Sequence, residues 1–127
     1  MKYQNVYKIL SIEEWDKAQK SGFINTNLDI KDGFIHFSTA SQLATSLELY
    51  FSNHQEAILL FPDMKKIKAN LKYEATKPDS NRNGFFPHLY SDLATKDITK
   101  SWLIKREAFK LPISILLEAE YVQAALN

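Results

Sequence analysis

His36 and Ser38 stand two residues apart in Gly33-Phe34-Ile35-His36-Phe37-Ser38-Thr39. An extended run alternates its side chains, so Phe34, His36 and Ser38 share one face while Ile35 and Phe37 take the other. An imidazole and a hydroxyl on one face are the parts of an acid-base or ligand-binding site. The plain alternative is a histidine hydrogen-bonded within a sheet, beside a hydroxyl that caps a helix. A second such group is Phe86-Pro87-His88-Leu89-Tyr90, where a proline stiffens the approach to an imidazole and a phenol. Glu74 follows Leu71 and Tyr73 on a strand that otherwise reads as well packed, where a carboxylate needs a partner, a function or an edge open to water. It is suited to orienting an imidazole or countering positive charge at a sugar carbon. The candidate catalytic residues are therefore His36, Glu74 and His88, and the candidate ligand-binding residues include Ser38, Phe86 and Tyr90. His36, His88 and Glu74 are also metal-ligand types, but no close ligand spacing joins them and no metal is expected.

The elements that must position these residues follow from hydrophobic patterning. Val6 to Leu10 reads as a first strand, and Ser11-Ile12-Glu13-Glu14 as a capping box that opens a helix of about three turns. Ile12, Trp15 and Ala18 form the helix's apolar face, Gly22 ends it, and Phe23 and Ile24 return to the core. Residues 25–33 are rich in turn formers, with Asp32-Gly33 as a tight entry into a strand from Phe34 to Ser38. Thr39-Ala40-Ser41-Gln42 repeats the capping pattern before a second helix through Leu43, Leu47 and Tyr50 that ends near Ser52. Ala57 to Phe61 is an uninterrupted apolar run, expected to be a central strand that Pro62 terminates. Leu71 to Ala75 is a further strand. Thr76 to Gly84 is the most loop-like segment and the expected lid, Ile98 to Glu107 alternates as a last strand, and a C-terminal helix is expected after Pro112 through Ile115, Leu116, Ala119 and Val122. Strands outnumber helices in the second half, which predicts an α+β fold with a mixed sheet and flanking helices rather than a doubly wound parallel sheet.

The chain has 127 residues, 45% hydrophobic and 24% charged, which predicts one domain over residues 1–127. Its formal charge of +1 is too small for a dedicated nucleic-acid or membrane surface. The runs Met64-Lys65-Lys66-Ile67-Lys68 with Lys72, and Lys105, Arg106 and Lys110, carry no interleaved aromatics and read as solvated faces. The three glycines are isolated, which excludes a glycine-rich phosphate loop. There is no cysteine, so disulfides and thiolate metal sites are excluded. The N-terminal residues lack an apolar signal segment and no stretch spans a bilayer, so a cytoplasmic location is expected.

Tyr7-Lys8-Ile9-Leu10-Ser11, Trp15, Gly33-Phe34-Ile35-His36-Phe37-Ser38 with Gln42, Leu71-Lys72-Tyr73-Glu74 and Phe86-Pro87-His88-Leu89-Tyr90 together resemble, in order, a small bacterial family known as domain of unknown function 952. The resemblance covers roughly residues 6–107. It implies a split β-sheet similar to that of ADP-ribosyltransferases, in which two halves clamp the nicotinamide end of NAD. On that likeness Gly33-Phe34-Ile35-His36 corresponds to the strand whose side chain packs on nicotinamide. The first-strand position that usually presents a ribose-binding histidine is Lys8 here. That departure weakens the case for NAD, although a lysine still donates to a ribose or phosphate oxygen as a point charge.

That family has no established activity, and the resemblance implies a pocket for NAD or a related small nucleotide more than a reaction; a transferase-like site would transfer or hydrolyse an ADP-ribosyl group. Glu74 would act at the ribose, with His36 and Tyr90 positioning the base. Two other readings follow from the residues. His36-x-Ser38 is half of the paired motif of two-histidine phosphoesterases, with His88-x-Tyr90 as an imperfect second copy. A non-catalytic domain that binds a small ligand is the third.

Overall fold

The computed structural model describes residues 5–75 and 84–105, together with Glu118 and Glu120. Val6–Leu10 forms β1, and the capping box that follows is made in full: Glu14 N–H donates to Ser11 Oγ at 3.1 Å and Ser11 N–H to Glu14 Oε1 at 2.8 Å. Helix α1 spans Ile12–Ser21 and ends where Gly22 adopts φ +86°, a left-handed conformation that costs a residue with a Cβ about 1–2 kcal/mol. Ala18 is buried on its inner face with Trp15 and Ile12 packed alongside. Ile24 returns to the core as expected, whereas Phe23 is exposed.

Residues 25–33 differ from the expectation of turns. Asn27–Asp32 is a short helix, α2, opened by Thr26 and Asp29 as a second full capping box and closed by Gly33 at φ +82°. Gly33 thus ends a helix as well as leading into β2. The expected strand from Phe34 to Ser38 is two: β2 (Ile35–His36) and β3 (Ser38–Thr39), which belong to different sheets. Gln42 Oε1 then accepts from Thr39 N–H at 3.0 Å, and a 3-10 turn leads into α3 (Leu43–Phe51). β4 (Glu56–Pro62) is the buried central strand, ending in an irregular register at Phe61 and Pro62. The Met64–Lys68 run, read as a solvated basic stretch, contains a one-turn helix, α4 (Met64–Ile67). Its Met64 and Ile67 are buried and its lysines exposed. The remaining strands are β5 (Leu71–Ala75), β6 (Phe85–Leu89) and β7 (Ile98–Lys105). Residues 76–83 of the expected lid, Arg106 and Glu107 of the last strand, and Ile115, Leu116 and Val122 of the expected C-terminal helix lie outside the described residues.

The class is α+β: among the described residues, helices α1 to α4 accompany two sheets of order β3-β1-β4-β7 and β2-β6-β5. Every described pairing is antiparallel, so the sheets are split but not mixed in strand direction. The core lies under the four-stranded sheet, where Leu10, Leu59, Leu60, Phe61 and Ile104 are buried with Ile24, Leu43 and Leu89. Among the described residues no helix is long and apolar enough to cross a membrane.

Pro87 explains where the chain leaves one sheet for the other. Ile35 pairs with Leu89 and His36 with His88, so the next rung is Phe37 with Pro87. Phe37 N–H donates to Pro87 O at 3.0 Å, but proline has no N–H to return the bond. The ladder ends there, and Ser38 crosses to pair with Tyr7 of β1. A proline is thereby accommodated in a strand flanked on both sides, a position where it is otherwise rare.

Leu59 is fully buried at the centre of this core. Truncation by Leu59→Ala is expected to cost about 2–5 kcal/mol of unfolding free energy. Urea denaturation should show a lowered midpoint with the slope unchanged.

Candidate functional site

The register that ends β2 also builds the site. Antiparallel rungs alternate in type, and His36 and His88 form the non-hydrogen-bonded kind, in which opposed side chains sit closer together. Their rings lie 5.6 Å apart between centroids, edge to face at 68°. On β5, Lys72 opposes His88 and Glu74 opposes Phe86, so strand alternation puts Lys72, Glu74, Phe86 and His88 on that same face. Phe34, just before β2, stacks on His88 at 3.9 Å and 21°, and lies 5.5 Å from the Tyr90 ring.

His36 is held at both nitrogens. Nδ1 lies 2.6 Å from Asp29 Oδ1 and Nε2 2.9 Å from Asp32 Oδ2. Both ring nitrogens are thus at hydrogen-bond distance from a carboxylate, which leaves neither open to a ligand. Asp29 is itself buried and accepts from Thr26 N–H at 3.0 Å and His36 N–H at 3.0 Å. It also meets the Lys8 ammonium at 2.9 and 3.0 Å, the two side chains being 1% and 4% exposed. Burial works to raise the Asp29 pKa. The His36 hydrogen bond, the Lys8 charge and the two backbone amides outweigh it and hold the carboxyl well below the usual range. Burial lowers Lys8 from the ordinary ammonium value, with Asp29 opposing the change.

His88 has a different setting. Its Nδ1 lies 3.0 Å from Glu74 Oε1, and the Tyr90 hydroxyl donates to the same oxygen at 2.5 Å. The Tyr90 hydrogen bond, followed by that of His88, lowers the Glu74 pKa, and the same bond raises that of Tyr90. Burial lowers the His88 pKa below its ordinary value, and the neighbouring His36 charge adds to this while Glu74 opposes it. The Glu74 side chain is 40% exposed, and no hydrogen bond from a described residue engages its Oε2. Lys72 lies over the Tyr90 ring with Nζ 5.1 Å from the centroid.

A cleft of about 910 Å³ is lined by all seven residues singled out from the sequence: Lys8, His36, Ser38, Glu74, Phe86, His88 and Tyr90. Two of them have roles other than those read from the sequence. Lys8, expected to donate to a ribose or phosphate oxygen, directs its ammonium to Asp29 and to the His36 carbonyl at 2.9 Å, because a buried charge must be paired. Ser38 is not a helix cap: its hydroxyl is buried 2.8 Å from that of Ser46 on α3. Asp29, Asp32 and Phe34 were not identified as site residues. The Thr26-x-x-Asp29 capping pattern was the signal for the first, and period-two alignment with His36 for the third. Among the described residues, no cluster of three or more His, Cys, Asp or Glu side chains is arranged to hold a metal ion.

Fold and site together define an α+β domain with two antiparallel sheets and an aromatic, carboxylate-rich cleft. The chain belongs to the family described as Protein of unknown function (DUF952), whose model matches residues 9–101. It is similar to the crystal structure of protein CC0527 from Caulobacter crescentus, at 33% identity and a TM-score of 0.67 over 77% of this chain and 83% of that one. The solution structure of CC0527 matches at 34% identity and a TM-score of 0.63, over 77% and 82% of the two chains. A search of curated proteins finds no match. Neither structure is described as a transferase, so the likeness establishes family and fold and not that activity.

The Lys8–Asp29 pair yields a prediction. Asp29→Asn leaves a buried ammonium without a counter-charge and is expected to cost about 3–5 kcal/mol. A double-mutant cycle with Lys8→Met, measured by urea unfolding, should return strong coupling between the two positions. Because Asp29 is depressed in the folded state, its contribution is full above the unfolded carboxylate value near 3.9. It is lost as pH falls through the lower folded value. The difference between wild type and Asp29→Asn should therefore hold from about pH 5 to 8 and shrink in acid.

Proposed function

We propose that the cleft takes a small nucleotide of the NAD type by its pyridinium and ribose end, and that the protein hydrolyses or transfers across the N-glycosidic bond. The observation that carries this reading is the placement of Glu74. Its Oε1 is fixed by Tyr90 and His88, and its Oε2 is engaged by no described residue, at the rim of a pocket walled by the Phe34, His36 and Tyr90 rings. A planar ring lies against such walls, while a preorganised carboxylate stabilises the positive charge that develops at the sugar carbon as the ring departs. The electron pair of the C–N bond returns to the ring nitrogen, and the pyridinium leaves neutral. Glu74 supports a ligand end with developing positive charge: of the lining acids, Asp29 is paired with Lys8 and His36 and Asp32 with His36, while Glu74 keeps one oxygen that no described residue engages.

The two-histidine phosphoesterase reading draws on the facing imidazoles. It needs both rings to exchange protons with the substrate, and both nitrogens of His36 are committed to carboxylates.

Calorimetry with NAD, ADP-ribose, nicotinamide and cyclic nucleotides tests the proposal. NAD and nicotinamide are expected to bind, and His36→Ala to weaken both by about tenfold or more, roughly 1.4 kcal/mol. Glu74→Gln should retain binding yet lower nicotinamide release on the order of 10²-fold. Absence of binding by NAD, ADP-ribose and nicotinamide alike would overturn the reading, and turnover of a cyclic nucleotide would favour the phosphoesterase.

A further inference from the structure

Within that reading, the two histidines of the cleft are not equivalent, and the difference assigns a role to one of them. His36 has no nitrogen to spare, since Asp29 and Asp32 occupy both. His88 has one. Its Nδ1 faces Glu74 Oε1 at 3.0 Å, an oxygen already accepting the Tyr90 hydroxyl proton. A carboxylate oxygen cannot donate, so the proton of the neutral ring belongs on Nδ1, and the lone pair is left on Nε2. No described residue is hydrogen-bonded to Nε2. The ring cannot turn freely, because Phe34 stacks on its face at a centroid distance of 3.9 Å and His36 packs against its edge.

We propose that His88 is the general base that activates the acceptor in glycosidic cleavage, with Glu74 fixing its tautomer and the acceptor being water in the simplest case. In that step an O–H bond of water breaks and its proton passes to His88 Nε2. The water oxygen forms a C–O bond to the sugar carbon, and the C–N bond breaks with its electron pair going to the ring nitrogen. The products are a free sugar hydroxyl, a neutral heterocycle and an imidazolium, so charge and atoms balance. Because Glu74 also stabilises the charge at that carbon, one carboxylate serves the electrophile through Oε2 and the base through Oε1. The inference rests on the glycosidic reading but adds to it, since charge stabilisation by Glu74 does not itself require a base.

The groups facing His88 are Glu74 and Lys72 on β5, His36 on β2, Asp32 at the end of α2, and Tyr90 after β6. Burial of the ring and the His36 charge favour its neutral form, against Glu74 and Asp32. A base is active when unprotonated, so turnover should be lost on the acid side, as pH falls through a value below the ordinary histidine pKa of about 6.5.

Two measurements test the assignment. In nicotinamide release from NAD, His88→Gln is expected to lower kcat on the order of 10²-fold or more with KM within a few-fold, and to abolish the acid limb of the pH profile. Imidazole added to His88→Ala should restore part of the rate. Separately, 15N spectroscopy of the unliganded wild-type protein at neutral pH should show His88 neutral, with the proton on Nδ1 and Nε2 bare. That readout does not depend on any variant folding. A proton on Nε2 overturns the proposal whatever the activity. Release that survives His88→Gln undiminished overturns the base and leaves the glycosidic reading standing, whereas NAD binding with no cleavage by wild type overturns both.

Discussion

Lys8 lies on a central strand with its ammonium sealed from water, and everything around the cleft floor follows from the need to neutralise it. Asp29 meets that need from α2, and the same carboxylate accepts from the Thr26 amide, the His36 amide and the His36 ring. One buried group thus ties β1, α2 and β2 together. The arrangement also accounts for α2, which at six residues is too short to be stable as an isolated helix. Its first turn is capped by a carboxylate that cannot move without stranding a charge, so helix and ion pair stabilise each other. The His36 ring inherits that rigidity, with Asp32 at the far end of the same helix gripping its other nitrogen.

A second constraint works through the backbone. Pro87 withholds one hydrogen bond from Phe37, and the ladder that should have run on from β2 to β3 breaks after His36. The chain then joins β1 through Ser38 and Thr39. Two sheets result where an unbroken strand would have made one. The break lies one residue beyond the rung that brings His36 and His88 face to face. The end of the ladder and the convergence of the imidazoles are therefore parts of one register. A slip of either strand by one residue would send its ring to the opposite face and part the two imidazoles.

Much of this was legible in the sequence wherever a short-range signal was unopposed. Ser11 with Glu14 and the apolar run at Ala57–Phe61 gave their elements correctly, because capping and burial act locally. The alternation of Phe34, His36 and Ser38 gave the right face but not the break, since the cause lies fifty residues away at Pro87. Thr26-x-x-Asp29 was readable as a cap and was masked by the surrounding asparagines and aspartates, which favour turns equally. α4 was hidden by its lysines: its apolar signal is only two buried residues three apart, with Asp63 capping the single turn. Lys8 shows the limit most clearly. Its residue type suggests an anion-binding group, and only the fold reveals that Asp29 has already taken the charge.

The two imidazoles show how context divides identical chemistry. Two histidines side by side on a sheet would compete for protons, and bringing two cations within a few ångströms is unfavourable. The fold resolves the competition by surrounding one ring with carboxylates on both nitrogens and giving the other a single carboxylate and a largely buried site. His36 is flanked by Asp29 and Asp32 at its two nitrogens, whereas burial and the proximity of His36 both work to lower the His88 pKa. His36 becomes part of the wall, stiff and saturated. His88 keeps an Nε2 that no described residue engages, beside a carboxylate that Tyr90 also holds, and that asymmetry is what distinguishes the two rings.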